Sequence, residues 1–556
     1  MARQSNTPIQ FNKTVRTDDN LVFTSGRAGL VHPIQYIPLL RGDSASGKVG
    51  VDVRLKEMPK ALLNGVIGNI QAWFVPKLAH PQFSGMDEFI ASYQGTKVKA
   101  LGQADRDPPA FYYGVNSSGT TNMNKLKNST FMKTLGVHLD VSADCNADVI
   151  DAFNTVYNFR LAAHSSKLPR RKYLSEGIDD AISPARAFWP SGRYSRVVPD
   201  YDSALIVGAL DLDIAAGRLP VSGMGLQLGG AFTRTGDQVK ETDGTTKTYS
   251  LSQTGNASGG NALIMKGRAT GFPEIYAEMA DTEVTTTLAS IDKARELQSF
   301  AKLRQAYAGN DATGFDNDDA IVADLMQGFQ PPADLYKRPW LLDSARVAFG
   351  MTERPATDGA SLDQSVTVGR LSATLSLNVP RTEVGGVIII TLEVLPERLD
   401  ERQSDEWLQN RDVSKLPDAL RDVLREEPVD VVLNRRLDAR HTVPQGAYGY
   451  EGMNDKWNRS FSRMGGIFYQ ADPANPFLES RAGIWITSIV DPALNEDHYL
   501  APLNFPHDVF MDTDGPAFEV VSRHSVSIVG LTQFGDVLTE DNGEYDAVIS
   551  EADGDA

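Results

Sequence analysis

Three stretches of patterned apolar residues constrain the fold of this chain most strongly. In residues 49–55 the apolar side chains occupy every second position. A period of two residues points one set of side chains at a core and the other at water, so this stretch predicts a half-buried β-strand. Residues 66–76 and 385–395 are apolar almost throughout, which is typical of strands buried on both faces.

Further along the chain the same signal recurs between long polar segments. Residues 366–379 alternate, with a slip in phase at Gly369-Arg370 that predicts a β-bulge. Helical spacing is clear only in residues 146–164 and 281–309. The β-α alternation of a parallel sheet is missing, so we predict a mainly β protein, a β-sandwich or jelly roll with long loop insertions and a few helices.

This pattern predicts a division of the chain into five regions. They are an N-terminal arm (1–29), jelly-roll core strands (30–94 and 263–400), a large insertion of surface loops (95–262), a C-terminal region with interface loops (401–535) and an acidic tail (536–556). Within the insertion, residues 217–262 are especially rich in loop-forming residues.

Composition excludes several classes of protein. The net charge is −18, from 54 basic and 72 acidic residues, whereas a protein that coats nucleic acid unaided is usually basic. Cys145 is the single cysteine, so the chain has neither an internal disulfide nor a thiolate metal cage, as expected for synthesis in a reducing cytosol. No apolar segment has the length of a signal peptide or a membrane span, and we predict no membrane insertion.

The sequence contains no recognisable catalytic motif. The eight histidines are dispersed and no pair has the spacing of a metal site on a helix. We therefore predict that the protein is not an enzyme and needs no cofactor. The acidic clusters at 311–319 and 512–514 are candidates for a structural calcium ion, although neither has EF-hand spacing and solvated acidic loops have the same composition.

Two basic segments are candidates for contact with a nucleic acid. Lysine and arginine neutralise phosphates, but a basic segment is also typical of a solvated link or a salt-bridged contact. The candidates are Arg3, Lys13 and Arg16 in the N-terminal arm, and Lys167, Arg170, Arg171 and Lys172 after the helix at 146–164. The large aromatic residues are interpreted as core or interface anchors rather than base-stacking platforms: Trp73, Phe74, Phe188, Trp189 and Trp340.

Several phrases, in order along the chain, resemble the major capsid proteins of microviruses, the small icosahedral single-stranded DNA bacteriophages. The first block has an Arg41-Gly42-Asp43 turn, an alternating strand, and an apolar strand that ends in residues 73–77 (WFVPK) before a short helix. Weaker similarities follow at 157–190, 291–307, 336–342 and 384–395. The helix at 146–164 lacks the family's tryptophans, and the acidic tail departs from the family pattern.

The resemblance implies an eight-stranded antiparallel jelly roll of the viral capsid type. It also implies a T=1 shell of sixty copies around a circular single-stranded DNA genome, with insertion loops that contribute to host attachment. The implied partners are other copies of the chain, the genome, a small basic internal DNA-binding protein, minor capsid or pilot proteins and a host cell-surface receptor. The implied location is the virion, assembled in the host bacterial cytoplasm.

Other classes of protein share much of this pattern. A carbohydrate-binding or adhesive β-sandwich at a cell or virus surface also has strands, long loops and no catalytic motif. A hydrolase on a jelly-roll scaffold needs only two suitably placed carboxylates, and acidic residues are abundant here. The size of the assembly in solution separates the shell from the adhesive protein.

Overall fold

The computed structural model describes a large part of the chain. The described residues are 13–98, 105–116, 120–165, 167–190, 192–200, 209–212, 218–220, 237–240, 246–249, 276–278, 284–287, 336–354, 366–399, 402–413, 416–423, 429–458, 462–469, 481, 483–486 and 490–534. The chain divides into two compact units, Met1–Tyr201 with Asn317–Ala556, and Asp202–Asp316.

Strands dominate the described residues. They are β1 (Thr14–Gly26), β2 (Leu30–Leu39), β3 (Ser44–Leu55), β4 (Val66–Pro76), β5 (Gly114–Val115), β6 (Cys145–Asn146), β7 (Ala185–Arg186), β8 (Ala209–Leu212), β9 (Arg218–Pro220), β10 (Asp237–Lys240), β11 (Thr246–Tyr249), β12 (Tyr276–Glu278), β13 (Val284–Thr287), β14 (Trp340–Ala348), β15 (Gly350–Arg354), β16 (Val366–Val379), β17 (Gly386–Pro396), β18 (Val429–Leu433), β19 (Ala447–Gly452) and β20 (Phe518–Gly530).

The described α-helices are mostly short. They are α1 (Met86–Gln94), α2 (Thr120–Lys127), α3 (Thr130–Leu135), α4 (Asp148–His164), α5 (Ile178–Ala181), α6 (Glu406–Gln409), α7 (Ala419–Val423), α8 (Asn434–Leu437), α9 (Asp455–Asn458) and α10 (Glu496–Tyr499).

Two five-stranded antiparallel sheets form the centre of the first unit. Sheet A has the strand order β1-β20-β3-β16-β15, and sheet B has the order β14-β4-β17-β2-β7. Each neighbouring pair in both sheets is antiparallel. The prediction of a mainly β fold with antiparallel sheets and few helices is confirmed, and the arrangement is consistent with a β-sandwich.

Apolar side chains from the two sheets meet in one core. In β3 the residues alternate as predicted, with Val49, Val51, Val53 and Leu55 buried and their neighbours more exposed. The sheets approach closely where Gly68 of β4 faces β16, since a Cβ atom there would lie 2.6 Å from a side-chain carbon of Leu371. This close approach explains a glycine in the middle of an otherwise apolar strand.

The other face of sheet B is covered by α4, which explains why β17 is buried on both sides. The indole of Trp73 in β4 packs edge-on against Phe159, with ring centres 5.9 Å apart. Arg160 of the same helix forms an ion pair with Glu393 of β17, and both side chains are almost fully buried. Sheet B therefore lies between sheet A and a helical layer.

The predicted bulge at Gly369-Arg370 is wrong. The ladder between β15 and β16 runs without a register shift from Gly350 opposite Arg370 to Arg354 opposite Val366. The register is kept, and small residues continue the inward face: Thr367 is buried, and a Cβ atom on Gly369 would lie 2.6 Å from a side-chain carbon of Leu55. Val368, on the other face, is buried too. The slip seen in the sequence was a change of side-chain size, not of backbone register.

The C-terminal region adds the β18-β19 hairpin, and its Val432, Leu437 and Tyr448 form a small apolar cluster with Tyr194 and Val197. The second unit has three antiparallel pairs nested in sequence, β8 with β13, β9 with β12 and β10 with β11. Three of these strands, β9, β10 and β11, lie within residues 217–262, the section that was predicted to be loop-rich. The helix predicted at 281–309 is wrong at 284–287, where the structure has the strand β13, and the rest of that range lies outside the described residues.

Candidate functional site

The outward face of sheet A is a polar surface built by four neighbouring strands. Residues paired in register across a sheet share a face, so alternate residues of four neighbouring strands form one surface. We call this surface the open face. It consists of Val15, Thr17, Asp19, Leu21, Phe23 and Ser25 of β1, Glu519, Val521, Arg523, Ser525, Ser527 and Val529 of β20, Ser44, Ser46, Lys48, Gly50, Asp52 and Arg54 of β3, and Arg370, Ser372, Thr374, Ser376 and Asn378 of β16.

Strand chemistry explains why this face is exposed. Its middle strands carry serine, threonine and glycine between the buried valines and leucines, so it has little apolar surface to bury. At Gly50 an added Cβ atom would meet only the carbonyl oxygen of Arg523, at 4.0 Å. The centre of the face is therefore flat and open.

Three cationic side chains on this face have no ion-pair partner among the described residues. They are Lys48, Arg370 and Arg523, and all three are exposed. Arg370 lies directly opposite Arg54 in the ladder, an arrangement of like charges that destabilises a sheet. An anion bound between the two guanidinium groups would offset this repulsion.

One edge of the open face is apolar. On β1, Phe23 is 70% exposed, Val15 64% and Leu21 41%. Leu21 is paired with Arg523, and Phe23 is paired with Val521. The face thus has a cationic centre bordered by an exposed aromatic ring.

The predicted basic segment 167–172 is neutralised within the chain. Lys167 pairs with Asp200 at 3.0 Å and Lys172 with Asp180 at 2.6 Å. Arg170 binds the carboxylate of Glu176 through two nitrogens, and Arg171 donates to carbonyl oxygens of the segment 181–184. These contacts fix the link after α4, and they leave its cations less available to a phosphate than those of the open face.

In the N-terminal arm, Arg3 lies outside the described residues and Lys13 is exposed at the start of the described chain. Arg16 points inward from β1 and pairs with the buried carboxylate of Asp43 at 2.6 Å. Asp43 also accepts a hydrogen bond from the backbone of Leu40, so it closes the turn between β2 and β3. Contact of this arm with DNA stays a prediction.

The aromatic residues singled out in the sequence pack within the chain. Trp73, Phe74 and Phe188 are buried, whereas Trp189 and Trp340 are half-buried. Phe74 contacts Trp340 with ring centres 5.3 Å apart. None of the five is placed on the open face.

A buried charged cluster lies where α4 begins. The ammonium of Lys77 pairs with Asp148 and lies 4.7 Å from the centre of the Tyr112 ring. Burial lowers the pKa of Lys77, and burial together with this lysine holds the pKa of His80 well below 6.5. Burial also raises the pKa of Asp151 to about 6, although its carboxylate accepts a hydrogen bond from the backbone of Leu174.

Replacing Asp151 by asparagine is expected to flatten the pH dependence of stability between pH 3.8 and about 6. In this window the folded carboxyl keeps its proton and the unfolded one loses it, so the wild type becomes less stable as the pH rises. The loss is at most about 3 kcal/mol, at about 1.4 kcal/mol per pH unit. Asparagine keeps an acceptor for the Leu174 N–H and has no proton to lose.

Urea unfolding of the unassembled subunit across this pH window measures the difference. Asp179→Asn is the matched control, because that carboxylate is 69% exposed, and it should follow the wild type. An Asp151→Asn curve parallel to that of the wild type would mean that burial does not hold the proton.

A cavity of about 20 Å³ lies beside Trp189, Arg398 and His498, a volume that holds one water molecule. Burial, with a smaller effect of Arg398, lowers the pKa of His498 to about 4. Both ring nitrogens of this histidine are hydrogen-bonded, to the hydroxyl of Tyr448 and to the carbonyl of Tyr194. The neutral imidazole therefore joins β19 to the segment that contains Tyr194.

No group of three or more His, Cys, Asp or Glu side chains suited to a metal ion occurs among the described residues. In the acidic cluster at 512–514, the carboxylate of Asp512 accepts hydrogen bonds from the backbone of Asp514 and Gly515, which forms a tight turn. The cluster at 311–319 lies outside the described residues. No helix in the described part of the chain is long and apolar enough to cross a membrane.

The sequence matches no protein-family model and no curated protein.

Sequence patterns alone missed the open face. The outward positions of β3 were visible, because Asp52 and Arg54 alternate with valines. The pairing with Arg523 joins residues more than 450 positions apart in sequence, and no local pattern reveals it.

Proposed function

We propose that this chain is the major coat protein of a small icosahedral single-stranded DNA bacteriophage, folded as an eight-stranded jelly roll. The observation that carries the proposal is the pairing of eight long strands. The first pairs with the last (β1 with β20), the second with the seventh (β2 with β17), the third with the sixth (β3 with β16) and the fourth with the fifth (β4 with β14).

This order is that of one long antiparallel hairpin rolled up so that its strands fall alternately into two sheets. The jelly roll has this topology, and viral coats are among its main users. β15 continues β14 beyond Phe349 and joins the edge of sheet A, and β7 adds two residues to sheet B. Neither changes the order of the eight.

The similarity to microvirus coat proteins falls on these strands. The alternating stretch is β3, the phrase ending in residues 73–77 is β4 with the residue after it, and residues 384–395 cover most of β17. The phrase at 336–342 leads into β14. Similar phrases in the same order, several of them on the core strands of this chain, support a common fold.

Exposed apolar side chains in the C-terminal region support contacts between copies. Leu408 is 76% exposed and Leu420 81%, and Trp407, which precedes Leu408, is 67% exposed. Apolar surface of this kind is typical of association sites. We propose that this region carries interface loops of a T=1 shell of sixty copies.

The acidic composition bears on the other proposed partners. A chain with a net charge of −18 repels a polyanion at long range, so a small basic internal protein is proposed to help neutralise the genome. We also propose that the coat binds minor capsid or pilot proteins and a host cell-surface receptor. Assembly is proposed to take place in the bacterial cytoplasm, and the mature protein to reside in the virion.

Sedimentation and negative-stain electron microscopy of the purified full chain test the coat function. We expect uniform isometric particles of megadalton mass. An adhesive β-sandwich would instead give small oligomers that bind glycans, and persistent small oligomers under all assembly conditions would refute the coat proposal.

Replacing Leu408 and Leu420 together by aspartate is expected to abolish particles without unfolding the subunit. Both side chains are largely in solvent, so the change should alter the free energy of unfolding by no more than about 0.5 kcal/mol for each substitution. Asparagine at the same two positions is the matched control for charge, and it should weaken assembly less. Particles of normal yield from the aspartate variant would exclude this region as an interface.

A further inference from the structure

We infer that the open face of sheet A is a contact surface for single-stranded DNA. The inference rests on the proposed coat function only for the source of the strand, which is the enclosed genome. The face itself is argued from its charge, the short side chains at its centre and its exposed aromatic ring.

The charge of the open face differs from that of the chain. Together with Lys56, which pairs with Glu519 at its margin, the face carries five cationic side chains and three anionic ones. The whole chain has a net charge of −18, so a locally positive sheet face is a marked exception. Local positive charge is what a polyanion contacts, and phosphate neutralisation supplies most of the affinity for nucleic acid.

Positions of the free cations suit a backbone that crosses the strands. Arg523 and Lys48 are diagonal neighbours on adjacent strands, and Arg370 lies farther along, opposite Arg54. The basic segment at 167–172, in contrast, has its charges engaged by carboxylates and carbonyl groups of the same chain. At Lys48, Arg370 and Arg523 an incoming phosphate displaces no ion pair among the described residues. The nearest acids on the face, Asp19 and Asp52, lie diagonal to Arg523 on the neighbouring strands.

The side chains at the centre of the open face are short enough for a DNA strand to approach closely. Between the cations lie Gly50, which leaves space, and the short hydroxyl side chains of serine and threonine. These hydroxyls can donate hydrogen bonds to phosphate oxygens. At the β1 border the ring of Phe23 is 70% exposed, so a base can stack on it while the backbone follows the cations. Stacking on an aromatic ring is independent of base identity, which suits a coat that must enclose a whole genome.

Sheet B does not offer an equivalent surface. Its outward face is covered by α4, with Trp73 packed against Phe159 and Glu393 paired with Arg160. The open face is therefore the one broad face of the two described large sheets that is free to meet a ligand.

Fluorescence anisotropy with a labelled oligothymidylate of about 16 nucleotides tests the inference on unassembled full-length subunits. Replacing Lys48, Arg370 and Arg523 by glutamine is expected to weaken binding at least tenfold at low salt. The slope of log affinity against log salt should also fall by about 2, since each lost phosphate contact on a single strand contributes about 0.7. Phe23→Ala should weaken binding about tenfold with no change in the salt slope.

The matched control replaces Lys167, Arg170 and Lys172 by glutamine. It removes the same number of positive charges from exposed positions that are paired within the chain. We expect wild-type affinity to within about twofold. Equal losses in the two triple variants would overturn the inference, because binding would then depend on net charge and not on the open face.

A second pair of variants guards against misfolding. Gly50→Glu places a carboxylate at the centre of the face, where the added side chain has open space, and Gly50→Gln has the same size without the charge. The glutamate variant should bind more weakly than the glutamine variant by at least about fivefold at low salt. Equal binding by these two variants would also overturn the inference.

Particle formation, scored separately, distinguishes failure of this inference from failure of the coat proposal. If the triple open-face variant loses particles but keeps its affinity for DNA, the face is a contact between copies and the inference is wrong. If the wild type forms no particles and the open-face variants still lose DNA affinity, the coat proposal fails and the DNA-binding face stands.

Discussion

Replacing Arg193 by methionine is expected to lower the free energy of unfolding by about 3 kcal/mol, because it leaves the carboxylate of Glu451 buried without its main partner. The two side chains are 3% and 1% exposed, and both terminal nitrogens of the arginine reach the carboxylate, at 2.8 and 3.2 Å. Arg436 remains 3.4 Å from the same carboxylate, so the expected loss is at the lower end of the range for broken buried pairs.

The position of this ion pair makes its loss consequential. Arg193 follows the helical layer on sheet B, and Glu451 lies in β19 of the C-terminal region, 258 residues away. The pair joins the region with the proposed interface loops to the body of the subunit. We therefore expect Arg193→Met to reduce particle yield as well as the urea midpoint of the subunit.

Two comparisons separate charge from packing. Arg193→Met combined with Glu451→Gln removes both charges, and it should recover at least half of the lost stability. Lys172→Met breaks an exposed pair with Asp180 and should cost less than about 1 kcal/mol. If the double variant is as unstable as Arg193→Met alone, the arginine acts through its packing and the stranded carboxylate is not the cause.

Strands were the part of this fold that the sequence predicted best, since each has a strong local pattern. Alternation identified β3, and continuous apolar character identified β17 as buried on both faces. For β4 that prediction is right only from Ala72 onwards, since Ile67, Asn69 and Gln71 are half-buried. Prediction failed at Gly369-Arg370, where small inward residues imitate a change of phase. Burial depends on what packs opposite, and a single strand does not contain that information.

The candidate site was much less predictable, and the reason is electrostatic. Residues 167–172 are conspicuous in sequence because four of the six are basic, yet neighbouring positions point in different directions and find different partners within the chain. The cations of the open face are isolated in sequence and are gathered by strand pairing, as Lys48 and Arg523 show. A contact surface on a sheet is assembled from alternate residues of distant strands, so its charge density is invisible until the register is known.

Replacing Phe74 by alanine is expected to lower the free energy of unfolding by about 3–5 kcal/mol, the usual cost of removing a fully buried phenyl ring. The side chain is fully buried, and it lies on the same face of β4 as Gly68, which approaches sheet A. Its ring contacts Trp340 of β14, so the cavity would form within the core between the two sheets. Urea unfolding should show a lower midpoint with an unchanged slope.

Phe23→Ala is the matched control, since it removes the same ring from a position that is 70% exposed. Its free energy of unfolding should stay within about 0.5 kcal/mol of the wild type, while its affinity for single-stranded DNA falls. The two phenylalanines therefore separate the core from the open face: one variant should lose stability, and the other should lose only binding. Equal destabilisation by both changes would mean that β1 is packed against another part of the chain, and the open face would then not be available to DNA.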